Sequence, residues 1–538
     1  MYLPPIESYA AKTQTRIIDF KGYNDSPVIE DGEMRDMLNL SSEKYPNLFQ
    51  RKLRNTYKDE FENPVSILQR KEKLAVVDIK TVTVDDVPTE FGVFYYGTTE
   101  ENGKTVAKRI WGLDLIPDEK IMVAINTRIV ILPDKKWFNT ETEQYGNLDC
   151  TVEPGEGISV TFGTNNITFS GTGTPFAGFN VGDAVTIEGC TSIIANNISA
   201  IIKAIDGVVL TFPDNSFTAG SETGDVKISR VSPDMDFILE SNNRLWACKG
   251  SSIYASKLGD PLNWNVFQGL LNDSYAVDVG TDGDFTGCVS YASHLLFFKE
   301  DYIHKIYGNK PSNYNLVDAE CYSLEKGSHK SIKVINEVVF YKSRLGIMAY
   351  TGGSPELISN NFGTKRYGIT VSGSDGIKYY ASMKYGNTYD LMVYDLDKNL
   401  WHKEDHTQAK AFAYINGELV FIDAATKKII SINPLTADES DRIEWMGVFG
   451  FDEYHENKKI YSKIKMRLEM EAETELTISI QMDDMEWIKV WHGYAETNKS
   501  VYIPIIPQRC QKFSIKLEGV GFCTIKSLVR EFSLGSER

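Results

Sequence analysis

Helical periodicity is almost absent from this chain, no apolar run approaches the roughly 18 residues that span a bilayer as a helix, and no two cysteines stand as a CxxC pair. Each absence excludes a class. Without amphipathic helices the chain is neither a helical bundle nor a doubly wound α/β protein. Without a long apolar run there is no membrane-spanning segment to expect. The seven cysteines, at 150, 190, 248, 288, 321, 510 and 523, are odd in number and scattered singly. They read as free thiols rather than as a disulfide framework or a structural zinc site. Positive charge is also in short supply, 57 Lys and Arg against 74 Asp and Glu for a net charge of −17, so a cationic surface that wraps nucleic acid is not expected. The opening MYLPPIESYAAKTQTR lacks the basic-then-apolar layout of a secretion signal, and synthesis in the cytoplasm is the expectation.

What the chain does have is apolar material in short pieces. Its 538 residues are 42% hydrophobic and 12% aromatic, enough for more than one core. Stretches of four to eight residues rich in Val, Ile, Tyr, Phe and Thr alternate with clusters of Gly, Asn, Asp and Ser. This is the texture of an all-β protein. Similar strand pairs start at Arg244, Leu295, Val338, Tyr389 and Glu418, and three of the four intervals fit the roughly 40 to 50 residues of a four-stranded propeller blade. Earlier stretches, SILQRKEKLAVVDI with EFGVFYYG and KRIWGLDL, then MVAINTRIVILPDKKWFN, offer further blades. A β-propeller over residues 1–149 and 231–440 is therefore expected, in preference to two ordinary β-sandwiches with evenly spaced hairpins.

The rhythm breaks over 150–230, where Gly-, Thr- and Asn-rich sequence suggests a small β-barrel or sandwich inserted into a blade loop, with FNVGDAVTI as an edge strand. One helix candidate lies here, Thr191 to Ile205. From 441 to 538, strictly alternating strands predict a C-terminal β-sandwich.

Chemistry-bearing patterns are thin. His402 and His406 in WHKEDH are the only close histidine pair, but Lys403 stands where a zinc protease carries Glu, so a polar turn after a strand is the reading. Asp278, Asp282 and Asp284 crowd carboxylates without the spacing of a calcium loop, and a solvated turn is expected. GTGTPFAG leads to no helix and is no phosphate loop. No catalytic, cofactor-binding or metal-ligating residue is singled out, no cofactor is implied, and the chain does not read as an enzyme.

The segment IDFKGYNDSPVIEDGEMRDMLNLSSEKYPNLFQRK, through Gly22, Asn24, Ser26, Pro27, Asp31, Gly32, Glu33, Asn39 and Arg51, resembles the start of tail nozzle proteins (tail hub, tubular B-like) of short-tailed bacteriophages. A second similarity lies in Asp260, Pro261, Asn263 and Trp264 of DPLNWNVF, followed by Phe297, Phe298, Lys299, Glu300, Ile303, Ile306 and Gly308. The resemblance covers the expected propeller, about residues 17–433, and neither the insert nor the C-terminal sandwich.

It implies a structural virion protein of the tail. Copies would form a ring, a hexamer by resemblance, below portal and adaptor proteins, extend and close the DNA-ejection channel, and hold tail fibres or spikes. Double-stranded DNA would pass through transiently, and an acidic lumen would let it slide. GTGTPFAG and TGGSPEL are Gly-rich candidates for a gating loop. The alternative is a glycan-binding or glycan-cleaving propeller protein of the virion surface. Exposed Trp487 and Trp491 would favour the binding form.

Overall fold

In a computed structural model the described residues are 12–84, 87–155, 158–222, 225–435, 442–452, 458–494 and 499–534. They form an all-β protein of many small sheets, its helical content limited to four three-residue 3-10 turns. None is long and apolar enough to cross a membrane. Two compact units are present, Met1–Phe61 with Lys330–Arg538, and Glu62–His329.

Within Glu62–His329, four antiparallel four-stranded sheets follow one another in chain order. The first is Pro64–Arg70, Lys73–Val84, Val87–Glu101 and Lys104–Leu115. The second is Ile121–Ile125, Arg128–Leu132, Lys136–Asn139 and Tyr145–Asn147. Phe237–Ser241, Arg244–Lys249, Ser252–Ala255 and Tyr275–Asp278 make the third, and Gly287–Tyr291, His294–Phe298, Tyr302–Tyr307 and Asn315–Glu320 the fourth. The first strand of each sheet lies against the first strand of the next.

The sequence of the second strands explains this stacking. In Arg128–Leu132, Ile129 and Ile131 enter a cluster shared with the preceding sheet, while Val130 and Leu132 enter a cluster shared with the following one. Leu245 and Ala247 face one way in the same manner, and Trp246 and Cys248 the other. Successive side chains of a strand point to opposite faces, so a strand sandwiched between two sheets must be apolar throughout. Each fully buried Val, Leu, Ile or Phe contributes about 1.5–3 kcal/mol. The outermost strand Asn315–Glu320 has no such cover and is largely exposed.

The tight turns between first and second strands recur as well. Asn242–Asn243, Asn336–Glu337 and Asn416–Gly417 all have two successive positive φ angles. That is the geometry whose twist matches paired strands, and it explains the Asn and Gly there.

The insert, within the same unit, forms two small sheets. Cys150–Val152, Lys227–Arg230, Ala184–Glu188 and Ser199–Ile201 make one, and Ala204–Asp206, Val209–Thr211, Asn166–Phe169, Val160–Phe162 and Gly220–Glu222 the other. They enclose a separate core that includes Phe162, Phe169, Phe176, Ile187 and Phe212. Two expectations fail here. Thr191–Ile205 is not a helix: only Ile194–Asn196 makes a 3-10 turn, and strands follow at Ser199 and Ala204. Asn196 and Asn197 are the cause, because their side chains bind Thr218 and Cys190 backbone groups in place of a helical turn. Ala184–Glu188 is an interior strand rather than an edge, pairing on both sides.

In the other unit three further four-stranded sheets follow. They are Lys333–Ile335, Val338–Lys342, Ile347–Tyr350 and Glu356–Leu357; then Thr370–Ser374, Lys378–Tyr385, Thr388–Asp395 and Leu400–Lys403; then Ala409–Ile415, Glu418–Asp423 and Ile429–Ser431, completed by Asn55–Lys58 from far upstream. The interval reading slips by one strand at Tyr389, which opens into a third strand whereas Arg244, Leu295, Val338 and Glu418 belong to second strands. The corresponding second strand begins at Lys378, whose SMKY ending is too polar to stand out as an apolar run.

Two five-stranded sheets close the chain. One orders Thr13–Ile17, Cys523–Leu534, Lys459–Met470 and Lys499–Pro504, with Arg509–Cys510 alongside; the other orders Asp36–Leu38, Glu444–Asp452, Lys512–Val520, Glu475–Met482 and Ile488–Tyr494. Their alternating inward residues, among them Ile464, Met466, Ile478, Ile480, Ile515 and Leu517, meet in one core. The N-terminal region thus contributes one strand to each of these sheets.

Candidate functional site

The residues that carry the N-terminal resemblance fold into one tight structure. Gly22 has φ +86°, and a Cβ there would collide with the Trp401 carbonyl oxygen; Gly32 has φ +98° and the same relation to the Asp19 carbonyl. Gly22–Tyr23 and Glu33–Met34 pair as parallel strands. Between them, Glu33 Oε2 accepts from Asn24 Nδ2 at 2.8 Å and from the Glu30 amide at 2.6 Å, while Asn24 Oδ1 accepts from the Ser26 amide at 2.9 Å. Asp31 pairs with the buried Arg530.

Asn39 and Arg51 belong to a second, ionic cluster. Asn39 Oδ1 accepts from Arg51 Nε at 2.7 Å, and Asn39 Nδ2 donates to the Glu444 carbonyl at 2.8 Å. Arg54 reaches Glu404 at 2.7 Å and Asp405 at 2.8 Å, with Arg51 3.6 Å from Asp405. Burial and the neighbouring Arg54 push the Arg51 guanidinium down to about 10, against the pull of Glu404 and Asp405. Burial would raise the Asp405 carboxyl, but the charges of Arg54 and Arg51 hold it below its usual range. This cluster ties Asn55–Lys58 to the segment after Leu400–Lys403, and its charges are satisfied by each other.

The DPLNWNVF stretch anchors the insert. Asn263 Nδ2 donates to Asp183 Oδ1 at 2.8 Å and to Asp260 Oδ2 at 2.6 Å, and Asn263 Oδ1 accepts from the Ala184 amide at 3.0 Å. Asp183 also pairs with buried Arg230, and Trp264 Nε1 donates to the Pro261 carbonyl at 3.0 Å. Immediately after it, the loop to Asp273 presents Phe267, Leu270 and Leu271 at 61%, 54% and 65% exposure. The loop is held from below: Asp273 Oδ2 accepts from the amides of Gly269 at 2.6 Å and Leu270 at 3.1 Å, and Arg244 Nη2 donates to the Leu271 carbonyl at 2.8 Å. Three exposed apolar side chains thus stand together on a clamped backbone. Sequence reasoning passed over them because isolated apolar residues in a loop carry no period.

In the second stretch of the resemblance, Phe297, Phe298, Ile303 and Ile306 are buried. Lys299 Nζ donates to the Thr281 carbonyl at 2.6 Å, and burial lowers the lysine while the Asp284 and Asp282 charges raise it. The crowded carboxylates thus face a cation of their own chain; Asp278 instead accepts from Ser252 Oγ. Gly308, φ +118°, leaves room for the Asn313 carbonyl.

His402 and His406 part company. His402 is buried within Leu400–Lys403, where burial drives its imidazole well below the ordinary value. His406, exposed, lies 2.9 Å from Asp390 Oδ1. The turn expected at WHKEDH therefore begins only after Lys403. Among the described residues no group of three or more His, Cys, Asp or Glu is placed to hold a metal ion. All seven cysteines are free, with 190, 248, 510 and 523 buried. Trp487 and Trp491 are half-buried: Lys516 Nζ stands 5.1 Å from the Trp487 ring centre, and Trp491 packs on the core of the C-terminal sheets.

The class that fold and site define is an all-β protein of stacked small sheets with hydrogen-bonded structural knots. No family model and no curated protein matches the chain. Among solved structures, the exo-β-1,3-galactanase of Phanerochaete chrysosporium is similar over 55% of this chain and 94% of its own, at 8% identity and a TM-score of 0.21. A protein of unknown function from Desulfotomaculum acetoxidans covers 51% and 91% at 10% identity and TM-score 0.25, and the acylaminoacyl peptidase of Pyrococcus horikoshii 74% and 59% at 8% and 0.32. Scores this low carry no argument about function.

Proposed function

We propose that this chain is a structural component of a bacteriophage tail. Copies join side by side as a ring-shaped nozzle or hub, a hexamer in the simplest case, that extends and closes the DNA-ejection channel. The ring stands on portal-adaptor proteins and docks fibres or spikes. The finer architecture proposed with it is a β-propeller from 1–149 and 231–440, a small inserted β-barrel or sandwich over 150–230, and a β-sandwich over 441–538. Three features support that architecture: within each of the two units consecutive sheets touch through their first strands, they share apolar clusters there, and Asn55–Lys58 completes the sheet of Ala409–Ser431. Asn55–Lys58, from upstream of all these sheets, supplies the fourth strand that this one otherwise lacks.

The observation that carries the functional reading is the use made of the resembling residues. Gly22, Asn24, Gly32, Glu33, Asn39, Arg51, Asn263 and Trp264 all shape or clamp backbone, which suits an architectural role. The loop of Phe267, Leu270 and Leu271 supplies apolar surface for a neighbouring protein, and the net charge of −17, multiplied around a ring, disfavours adhesion of DNA.

Native mass measurement of the purified protein, alone and mixed with portal-adaptor complexes, tests this. A ring, or a ring formed on the adaptor, is expected. A strict monomer that binds neither and cleaves a bacterial glycan would defeat the assignment in favour of the glycan-directed alternative.

A further inference from the structure

The first strands of the three sheets downstream of residue 330 lie side by side, and a cleft of about 360 Å³ opens along them. Its wall is made of Lys333, Val334, the strand end and bend Gly373–Gly376, Phe412, Tyr414 and Leu419. Two aromatic side chains border it. Gly373 has no Cβ, and one added there would lie 2.6 Å from the Phe412 ring, so the glycine lets that ring rest on the strand. Tyr414 is exposed.

Lys333 is the unusual member. Among the described residues no carboxylate or hydrogen-bond acceptor pairs with its ammonium, and the charge acting on it is the like charge of Lys330. The carboxylate on the cleft wall, Asp375, is already engaged. Its Oδ1 accepts from the Ile377 amide at 3.0 Å and the Lys378 amide at 2.7 Å, and its Oδ2 from Tyr380 Oη at 3.1 Å and Asn433 Nδ2 at 3.3 Å. Lys330 is likewise committed, donating to the Lys410 carbonyl at 2.8 Å. Lys333 is half-buried at the cleft wall, and with no counter-ion of its own it is free to attract an anion that enters the cleft. Burial, with the Lys330 charge, brings the Lys333 ammonium down to about 8.

We propose that this cleft is a binding site for a small ring-bearing organic carboxylate, its carboxylate on Lys333 and its ring between Phe412 and Tyr414. The volume suits a ligand at the small end of ordinary binding sites. Sugar acids and aromatic acids share this chemistry, since both offer a carboxylate and a face that packs on an aromatic ring. The site stands whether or not copies of the chain form a ring.

Calorimetric titration of the full chain with glucuronate and with benzoate, each beside its uncharged counterpart glucose or benzyl alcohol, tests the proposal and separates the two sources. At least one acid should bind, at least tenfold more tightly than its neutral counterpart. Lys333→Met should lose that binding and Lys333→Arg should keep most of it. Affinity should fall about tenfold for each pH unit above 8 as the ammonium deprotonates. Lys330, Lys378, Lys410, Asp375, Glu418, Tyr379, Tyr380 and Tyr414 are among the other ionisable groups on the packed elements, and a Lys330→Met control should retain the binding.

Should Lys333→Met fail to fold, labelling of the wild-type protein with an amine reagent at pH 8, followed by peptide mapping, replaces it: the binding acid should protect Lys333 selectively. Failure of both acids to bind, equal binding of the neutral compounds, or no protection of Lys333 would overturn the proposal.

Discussion

Acid should weaken this protein through His304, and the size of the effect follows from where that ring sits. His304 lies on Tyr302–Tyr307 and is fully buried. Its Nε2 stands 3.0 Å from Thr281 Oγ1, Nδ1 has no hydrogen-bond partner among the described residues, and the ring packs edge-on against Phe285 at 5.6 Å. Burial first, then the Lys299 ammonium, lower its pKa to about 4, with Asp318 opposing weakly. In the unfolded chain the same imidazole titrates near 6.5.

As pH falls, the unfolded state therefore binds a proton before the folded state does. The stabilisation is complete above about pH 6.5 and is lost on the way down to about 4, reaching roughly 2 kcal/mol by pH 5 and roughly 3 kcal/mol at the lower end. Urea unfolding followed by tryptophan fluorescence at pH 7.5 and pH 5 measures it. His304→Gln removes the titrating group, so the variant should lose about 2 kcal/mol less than the wild type between those two pH values, whatever its starting stability. Equal losses in both proteins would refute the reasoning, because the imidazole would then not be held neutral by its surroundings.

Three other outcomes follow from the packing. Lys120 and Asp134 form an ion pair at 2.6 Å with both side chains essentially inaccessible; Asp134→Asn should cost about 3–5 kcal/mol in chemical denaturation, and Lys120→Met with Asp134→Leu should recover most of it. Asn263→Ala should cost about 1–3 kcal/mol by removing one hydrogen bond each from Asp183 and Asp260 and leaving the Ala184 amide without its acceptor, and limited proteolysis should then cut faster between residues 150 and 230, with an unchanged cutting rate counting against an anchoring role. Gly22→Ala forces a Cβ onto the Trp401 carbonyl at a positive φ, so its melting temperature should drop by several degrees, whereas Gly376→Ala, with open space around it, should show only the smaller backbone strain.

Much of the fold is legible along the chain because its causes are local. A strand buried on both faces reads as an unbroken apolar run, as in RIVIL, RLWACK and HLLFF, and a two-residue turn with positive φ reads as Asn, as at 242–243 and 336–337. Where that local contrast is weak the reading slips, as at Lys378–Tyr385, whose polar ending hides a second strand. Thr191–Ile205 shows the converse: its apolar spacing suits a helix, but two asparagine side chains capture backbone groups and hold strands and a turn instead. The Lys333 cleft had no signal at all, because a lysine in KVI is ordinary until neighbouring strands leave it without a counter-ion.

Alternation, turn residues and apolar spacing by themselves determined that the chain is all-β and assembled from short antiparallel strands of repeating size, since period and turn geometry act over a few residues. Tertiary structure alone decided which distant strands pair: Thr13–Ile17 with Cys523–Leu534, Asp36–Leu38 with Glu444–Asp452, and Asn55–Lys58 with Ile429–Ser431. A strand's hydrogen-bonding edge is the same whatever its side chains, so its partner is set by which apolar faces meet in a shared core.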